Sequence, residues 1–228
     1  IEIFKKDPEA IIFTETADHI YNNIEDYHNT VKKAIELAKD NKIVTIGIKP
    51  RNPATRFGYV KKGEKYKEGF LVDSFREKPN KDTAEKFVED GSYFWNSGMY
   101  IFKVSKMLQE LKSLQPEIYK HLDAISKGGD LAKEFEAMES IAIDYSVSEK
   151  SKDLVVVTTD MHWDDLGKLD MLEVVNNPNR EGNVVVGRHI GYESKGNIIY
   201  GNGKLIATAG VDNLIIIQTD KATFICPK

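Results

Sequence analysis

The most constraining stretch of the chain is a helical pattern followed within a few residues by an unbroken β-branched run. Tyr27, Val31, Ala34, Ile35 and Ala38 recur at helical spacing behind Glu25 and Asp26, two acids placed where the positive end of a helix favours them. This predicts a helix over about residues 25–40. Ile43-Val44-Thr45-Ile46-Gly47-Ile48 follows, bounded by Asp40-Asn41 and Pro50, and reads as a buried strand. Helix then strand is the rhythm of α/β layers. With 228 residues, 41% hydrophobic and 30% charged, the chain can bury the core such layers need, which excludes disordered, collagenous and disulfide-scaffold classes.

The alternation continues along the chain. Ile11-Ile12-Phe13 reads as a buried strand. Phe57 to Lys61 and Gly69 to Phe75 read as two strands joined by a turn, and Asp82 to Glu89 as a short helix. Met99, Ile101 and Phe102 lie in an apolar strand after Gly98; Ser105 is placed to cap a helix carrying Met107, Leu108, Leu111 and Leu114, and Pro116 suits the first turn of the next. Gly128-Gly129 breaks the helical region before Leu131 to Met138; Leu154 to Val157 is another buried strand, with a helix expected after Gly167. Past Asn176-Asn177-Pro178-Asn179 the texture changes to short strands, Asn183 to Gly187, Gly196 to Tyr200, Lys204 to Ala209, Leu214 to Gln218 and Thr223 to Cys226, separated by Gly, Asn and Asp. The expected organisation is one α/β domain over residues 1–177 and a separate β module over 181–228. No strict hexapeptide repeat decides between a β-helix-like coil and a small sheet for that module.

Thirty-two basic residues against thirty-six acidic ones give a net charge of −4, which disfavours a nucleic-acid partner held by bulk positive charge. Between Lys42 and Asp82, however, eleven Lys and Arg stand against five Asp and Glu, an excess of six. Such a stretch is either a solvated Lys-rich hairpin or a local field that draws in a small anion such as a phosphorylated substrate. The single cysteine, Cys226, leaves no intrachain disulfide and fits a reducing, cytoplasmic compartment. The longest aliphatic runs, Leu154 to Val157 and Leu214 to Ile217, fall far short of the roughly 20 residues of a membrane helix, so no membrane partner is expected.

Four places could carry chemistry. Asp18, in Ala17-Asp18-His19, follows a strand where α/β sheets place ligands, and a carboxylate there can hold Mg²⁺; taken alone it reads first as a cap, and His19 as structural. Phe75-Arg76-Glu77-Lys78-Pro79 ends a strand with a carboxylate able to accept from sugar hydroxyls and an ammonium able to neutralise phosphate, or else an exposed charge pair. Trp95-Asn96-Ser97-Gly98 precedes a strand; Gly permits close backbone approach and Asn offers donor and acceptor, though a polar turn has the same composition. Trp163-Asp164-Asp165-Leu166-Gly167 sets two adjacent carboxylates after a buried strand, which a divalent cation would pair. No Gly-rich phosphate loop and no nucleophile elbow occurs in the chain. The residues alone support a metal-assisted, phosphosugar-like site.

Taken in order, Ala17-Asp18-His19, Thr45 to Pro50 leading to Phe57-Gly58-Tyr59-Val60, Phe75 to Pro79, Trp95 to Phe102, Ile143-Asp144-Tyr145 and Trp163 to Gly167 resemble the mannose-1-phosphate guanylyltransferases, bacterial sugar nucleotidyltransferases. The likeness runs from about residue 10 to the C-terminus. It implies a three-layer, Rossmann-like nucleotidyltransferase fold followed by a β-helix-like tail used for subunit contacts, hence a homodimer. It also implies transfer of a guanylyl group from GTP to mannose 1-phosphate, giving GDP-mannose and pyrophosphate. By the same resemblance Asp18 and Asp165 bind Mg²⁺, Lys78 holds the sugar phosphate, and Glu77, Asn96 and the backbone at Gly58 contact the sugar. Asp144 and Tyr145 match a motif without a role that the residues disclose.

Three departures stand out. The family's N-terminal Gly-rich signature, with the first strand and helix, is absent from this sequence, so the chain by itself is expected to bind GTP poorly and turn over little. Glu15-Thr16 replaces an apolar-Pro step, and Arg56 and Phe57 stand where Gly and Tyr are usual. Two other readings share these residues. One is a thymidylyl- or uridylyltransferase acting on glucose 1-phosphate; the other is a non-catalytic module that binds sugar phosphate or serves assembly.

Overall fold

In the computed structural model, residues 1–165 and 176–228 are described; the helix expected after Gly167 lies outside them. The order of elements is α1 (Glu2–Lys6), β1 (Ile11–Thr14), β2 (His19–Tyr21), α2 (Ile24–Ala38), β3 (Ile43–Ile48), β4 (Gly58–Tyr66), β5 (Gly69–Arg76), α3 (Lys81–Asp90) and β6 (Tyr93–Lys103). Then come α4 (Val104–Leu114), α5 (Pro116–Ser126), α6 (Leu131–Glu136), a π-helical turn (Asp144–Ser148), β7 (Leu154–Thr159), β8 (Trp163–Asp165), β9 (Val184–Tyr192), β10 (Ile198–Ala209), β11 (Leu214–Gln218) and β12 (Thr223–Pro227). The chain divides into two compact units, Ile1–Ala17 with Tyr21–Trp163, and Asp18–Ile20 with Asp164–Lys228.

The first unit is built around β3, every residue of which is buried, matching the β-branched run of its sequence. Its six-stranded sheet has the order β1-β6-β3-β7-β5-β4. β3 and β7 pair in parallel and the other ladders are antiparallel, so the sheet is mixed. β4 pairs with β5 on one side and with the first half of β6 on the other.

Because side chains alternate along a strand, each face of this sheet carries its own core. Val44, Ile46 and Ile48 of β3, with Met99 and Ile101 of β6, meet Ala34, Leu37 and Ala38 of α2. Ile43, Tyr100, Phe102 and Leu154 turn to the opposite face, against Met107 of α4 and Val147 of the π-helical turn. The result is helix, sheet and helix in three layers. Asn23 starts α2 by accepting from the backbone N–H groups of Glu25 and Asp26, and Asn80 starts α3 by accepting from that of Thr83.

Two expectations change here. β6 begins at Tyr93, so Trp95-Asn96-Ser97-Gly98 lies inside a strand and not ahead of one. Its ladder with β3 slips between Thr45/Tyr100 and Gly47/Asn96, a bulge at which Gly98 takes a φ of 76°. Ser105 does not cap α4: Lys103 is the N-cap residue, and the Ser105 hydroxyl instead reaches Glu9 at 3.3 Å.

In the second unit β9, β10 and β11 run parallel, and β12 closes the sheet antiparallel to β11. Parallel coils of this kind make the module β-helix-like. The segments expected as separate strands at Gly196 to Tyr200 and Lys204 to Ala209 are one strand, β10, with an irregularity between Tyr200 and Leu205. Val184, Ile198 and Ile215 stack on one side of the coils, and Ile199, Ile206 and Ile216 on the other. A buried asparagine ladder ties the coil corners. Asn197 Nδ2 donates to Asn183 Oδ1 at 3.0 Å and lies 2.9 Å from the Val211 carbonyl, while Asn197 Oδ1 accepts from Leu214 N at 2.9 Å.

Candidate functional site

The sheet of the first unit gathers Gly58, Glu77, Lys78 and Asn96. Gly58 opens β4 and pairs with Asn96 of β6, which also pairs with Gly47 of β3 on its other side. Glu77 follows the last residue of β5, whose Arg76 pairs with Tyr59 next to Gly58. A methyl group on Gly58 would overlap Glu77 Oε2 and approach Asn96 Cβ to 3.4 Å, so the absence of a side chain is what lets the carboxylate lie against the strand.

Asn96 is 6% exposed and sits in a polar network on the face shared by Tyr100 and the π-helical turn. Thr45 Oγ1 donates to Asn96 Oδ1 at 2.7 Å. Asn96 Nδ2 donates to Asp144 Oδ1 at 3.0 Å and to the Tyr100 hydroxyl at 3.2 Å. The Tyr100 hydroxyl in turn donates to Asp144 Oδ1 at 2.9 Å and accepts from Ser148 Oγ at 2.8 Å. Burial, with the Asp144 carboxylate beside it, pushes the Tyr100 hydroxyl far up, so it stays protonated and donates.

Glu77 stands apart from this satisfied network. Its side chain is 10% exposed, yet Oε2 has no hydrogen-bond partner among the described residues. A buried acceptor left open in this way is costly unless a ligand meets it. Burial raises the carboxyl to about 7, with the Asp144 and Glu149 carboxylates adding to the rise and the Lys78 ammonium opposing it. Lys78 Nζ lies 3.7 Å from Glu77 Oε1, and the Lys78 side chain is exposed. The Lys78 backbone has a φ of 41°, the left-handed region that costs a side-chain-bearing residue energy, and Pro79 follows it directly. A lysine where glycine would be easier points to a use for its ammonium.

The two aspartates read as metal ligands fall together in the second unit. Asp18 immediately precedes β2, Asp165 ends β8, and the two strands pair in a two-stranded sheet. Asn22, just past β2, donates its N–H to the carbonyl of His162, just before β8, so the strands run in opposite senses and the start of β2 faces the end of β8. Among the described residues no cluster of three or more His, Cys, Asp or Glu could cage an ion. Two carboxylates suit Mg²⁺, a hard cation that takes few protein oxygens and completes its shell with water and phosphate.

The departures at 15 and 56–57 are accommodated within the first unit. Glu15 Oε1 accepts from the hydroxyls of Tyr21 (2.7 Å) and Tyr27 (2.9 Å), and burial with that carboxylate pushes the Tyr27 hydroxyl up to about 12. The Phe57 ring packs between Trp95 and Trp163 at centroid distances of 5.0 and 4.9 Å, with the Arg56 guanidinium over its outer face at 4.5 Å. Sequence reasoning gave no site role to Thr45, Tyr100, Ser148 or Asp144. The available signal was the Ile143-Asp144-Tyr145 motif itself, whereas Tyr145 points outward and is 43% exposed.

Comparison with known proteins bears on the fold and the family. The nucleotidyl transferase family profile matches residues 1–181, and a profile described as the MannoseP isomerase/GMP-like beta-helix domain matches residues 187–228. A mannose-1-phosphate guanylyltransferase of Escherichia coli is 37% identical over 89% of this chain and 47% of its own length. One from Salmonella muenchen is 37% identical over 97% of this chain and 49% of its own. The chain thus spans about half the length of these curated relatives. A crystal structure from Thermus thermophilus, described as a mannose-1-phosphate geranyltransferase, superposes with a TM-score of 0.90 at 27% identity, covering 98% of this chain and 67% of that one. Among the described residues no helix is long and apolar enough to cross a membrane. With its mixed three-layer sheet, its β-helix-like module and the profile match over residues 1–181, the chain belongs to the nucleotidyl transferase family.

Proposed function

We propose that this chain carries the hexose 1-phosphate subsite and metal ligands of a mannose-1-phosphate guanylyltransferase. The observation that carries the reading is the convergence of Gly58, Asn96 and Glu77, whose Oε2 has no hydrogen-bond partner among the described residues, with Lys78 held next along the chain in a left-handed conformation. In the proposed reaction a phosphate oxygen of mannose 1-phosphate attacks the α-phosphorus of GTP, the bond to the β-phosphate oxygen breaks, and pyrophosphate leaves. Such a transfer needs placement and charge neutralisation more than a covalent nucleophile. Lys78 neutralises the sugar phosphate and keeps the attacking oxygen in place. Glu77 and Asn96 accept from sugar hydroxyls, and the backbone at Gly58, where the missing side chain leaves space for the Glu77 carboxylate, contacts the sugar. Asp18 and Asp165 would hold Mg²⁺, which supplies charge neutralisation at phosphate oxygens.

A cytoplasmic location and a homodimer formed through the β module belong to the same reading. The exposed side chains of Ile190, Tyr192, Phe224 and Ile225 support the second of these.

The test is an assay of the complete natural polypeptide with GTP, mannose 1-phosphate and Mg²⁺. GDP-mannose and pyrophosphate are expected in equal amounts, and EDTA should stop their formation. Turnover with thymidine or uridine triphosphate and glucose 1-phosphate in place of this pair would overturn the assignment.

A further inference from the structure

The Asn96 carboxamide could face its pocket in either of two orientations, and its surroundings select one. With Nδ2 turned toward the π-helical turn, both of its protons are used, one by Asp144 Oδ1 and one by the Tyr100 hydroxyl, while Oδ1 accepts from Thr45. The opposite orientation would set Oδ1 against the Asp144 oxygen, acceptor against acceptor. Asp144 Oδ1 also takes the Tyr100 proton, which leaves that hydroxyl able to accept from both Asn96 and Ser148. One oxygen therefore fixes two side chains.

We propose that Asp144 is a positioning residue for the hexose subsite, whose carboxylate holds the Asn96 carboxamide so that only the amide oxygen remains for a ligand. This rests on the reading of Gly58, Glu77 and Asn96 as the sugar-binding face. It also deepens that reading, because a face made of Asn96 Oδ1 and Glu77 Oε2 recognises hydroxyl groups as donors. Replacing a contacted hydroxyl by a methoxy group, which accepts but cannot donate, should cost binding as much as removing it.

The geometry has a second consequence. The charged groups that face Glu77 are Lys78, next along the chain, and Asp144 and Glu149 from the π-helical turn and its end. Loss of the Asp144 charge removes one of the two carboxylates that hold the Glu77 carboxyl up.

The experiment compares wild type with Asp144→Ala and Asp144→Asn in the complete polypeptide, by kinetics and by NMR. Asp144→Ala should raise the KM for mannose 1-phosphate about ten-fold or more while the KM for GTP stays within two-fold. Asp144→Asn, which can still accept both protons, should recover most of that loss yet move the Glu77 titration midpoint below its wild-type value of about 7. In Asp144→Ala the Asn96 side-chain amide protons should also lose protection from exchange. An unchanged KM for the sugar phosphate, or an equal rise in both KM values, would overturn the proposal. If wild type does not transfer a guanylyl group at all, the functional reading fails and NMR alone decides. A lowered Glu77 midpoint with exposed Asn96 protons upholds Asp144 as the positioning group, and an unmoved midpoint with protected protons refutes it.

Discussion

Each unit of the molecule buries an asparagine in a satisfied polar network, and the two networks have different neighbours. Asn197, in the β module, is fully buried, and its amide oxygen and nitrogen both meet partners along the coil corner, from Asn183 to Leu214. Asn96, in the sheet of the first unit, is tied just as firmly on one side but borders Glu77, whose Oε2 has no partner among the described residues and whose carboxyl is raised to about 7. A completed network alone specifies a fold; one set beside an unsatisfied, buried acceptor is built for something that arrives later. That difference separates scaffold from site more sharply than burial or charge would alone.

The comparison breaks most readily at Lys78. Lys78→Ala should lower transfer about 100-fold or more, as loss of a preorganised charge at a phosphoryl group does. Lys78→Gly should be equally slow although it relieves the left-handed backbone, by about 1 kcal/mol in chemical unfolding. Activity that survives either change would remove Lys78 from the site.

On the scaffold side, Asn197→Ala strips partners from Leu214 N and the Val211 carbonyl. It should destabilise the β module by about 3 kcal/mol, read by urea unfolding, while binding of the sugar phosphate by folded protein stays as in wild type.

The open carboxyl gives a pH test whose sign is fixed. The Glu77 pKa is raised in the folded protein, from 4.5 to about 7, so its contribution is fully present below the lower value and is lost as pH rises through the upper one. Wild type should lose up to about 3 kcal/mol from this group between those limits, since each tenfold difference in proton affinity between folded and unfolded chain corresponds to about 1.4 kcal/mol. Glu77→Gln should remove that slope and therefore gain on wild type as pH is raised from about 4 to about 8. An identical slope in both proteins would mean that the carboxyl is not held up by burial. The smallest effect is expected at Gly58→Ala, whose methyl group must displace Glu77 Oε2; a rise of about ten-fold in the KM for mannose 1-phosphate would sharpen the account.

Much of the architecture was legible because it rests on side-chain period. β3 was readable as residues 43–48 from an unbroken β-branched run, and α2 from apolar spacing behind two acids. What escaped was irregular. The bulge at Asn96 to Gly98 interrupts the two-residue alternation, so a polar piece of β6 read as a turn ahead of a strand. The asparagine ladder was hidden because its members Asn183 and Asn197 lie 14 residues apart along the chain, and no strict short repeat marks the coils.

At the site, Gly58, Glu77 and Asn96 were nameable from motifs, and the sheet brings them together. Thr45, Tyr100 and Ser148 had no role readable at the site, because in sequence each looks like part of a core strand or a helical turn. Their part depends on a hydrogen-bonding partner, Asp144, that lies 44 residues from Tyr100 along the chain.

The central claim is that the Asn96 network with the unsatisfied Glu77 carboxyl beside it is the sugar-phosphate subsite, and that the Asn197 network is scaffold. Calorimetric titration of mannose 1-phosphate into wild type, Glu77→Ala and Asn197→Ala tests it most directly. Glu77→Ala should weaken binding about ten-fold or more, with Asn197→Ala within about two-fold of wild type. Equal affinities for wild type and Glu77→Ala, or a loss confined to Asn197→Ala, would contradict the account.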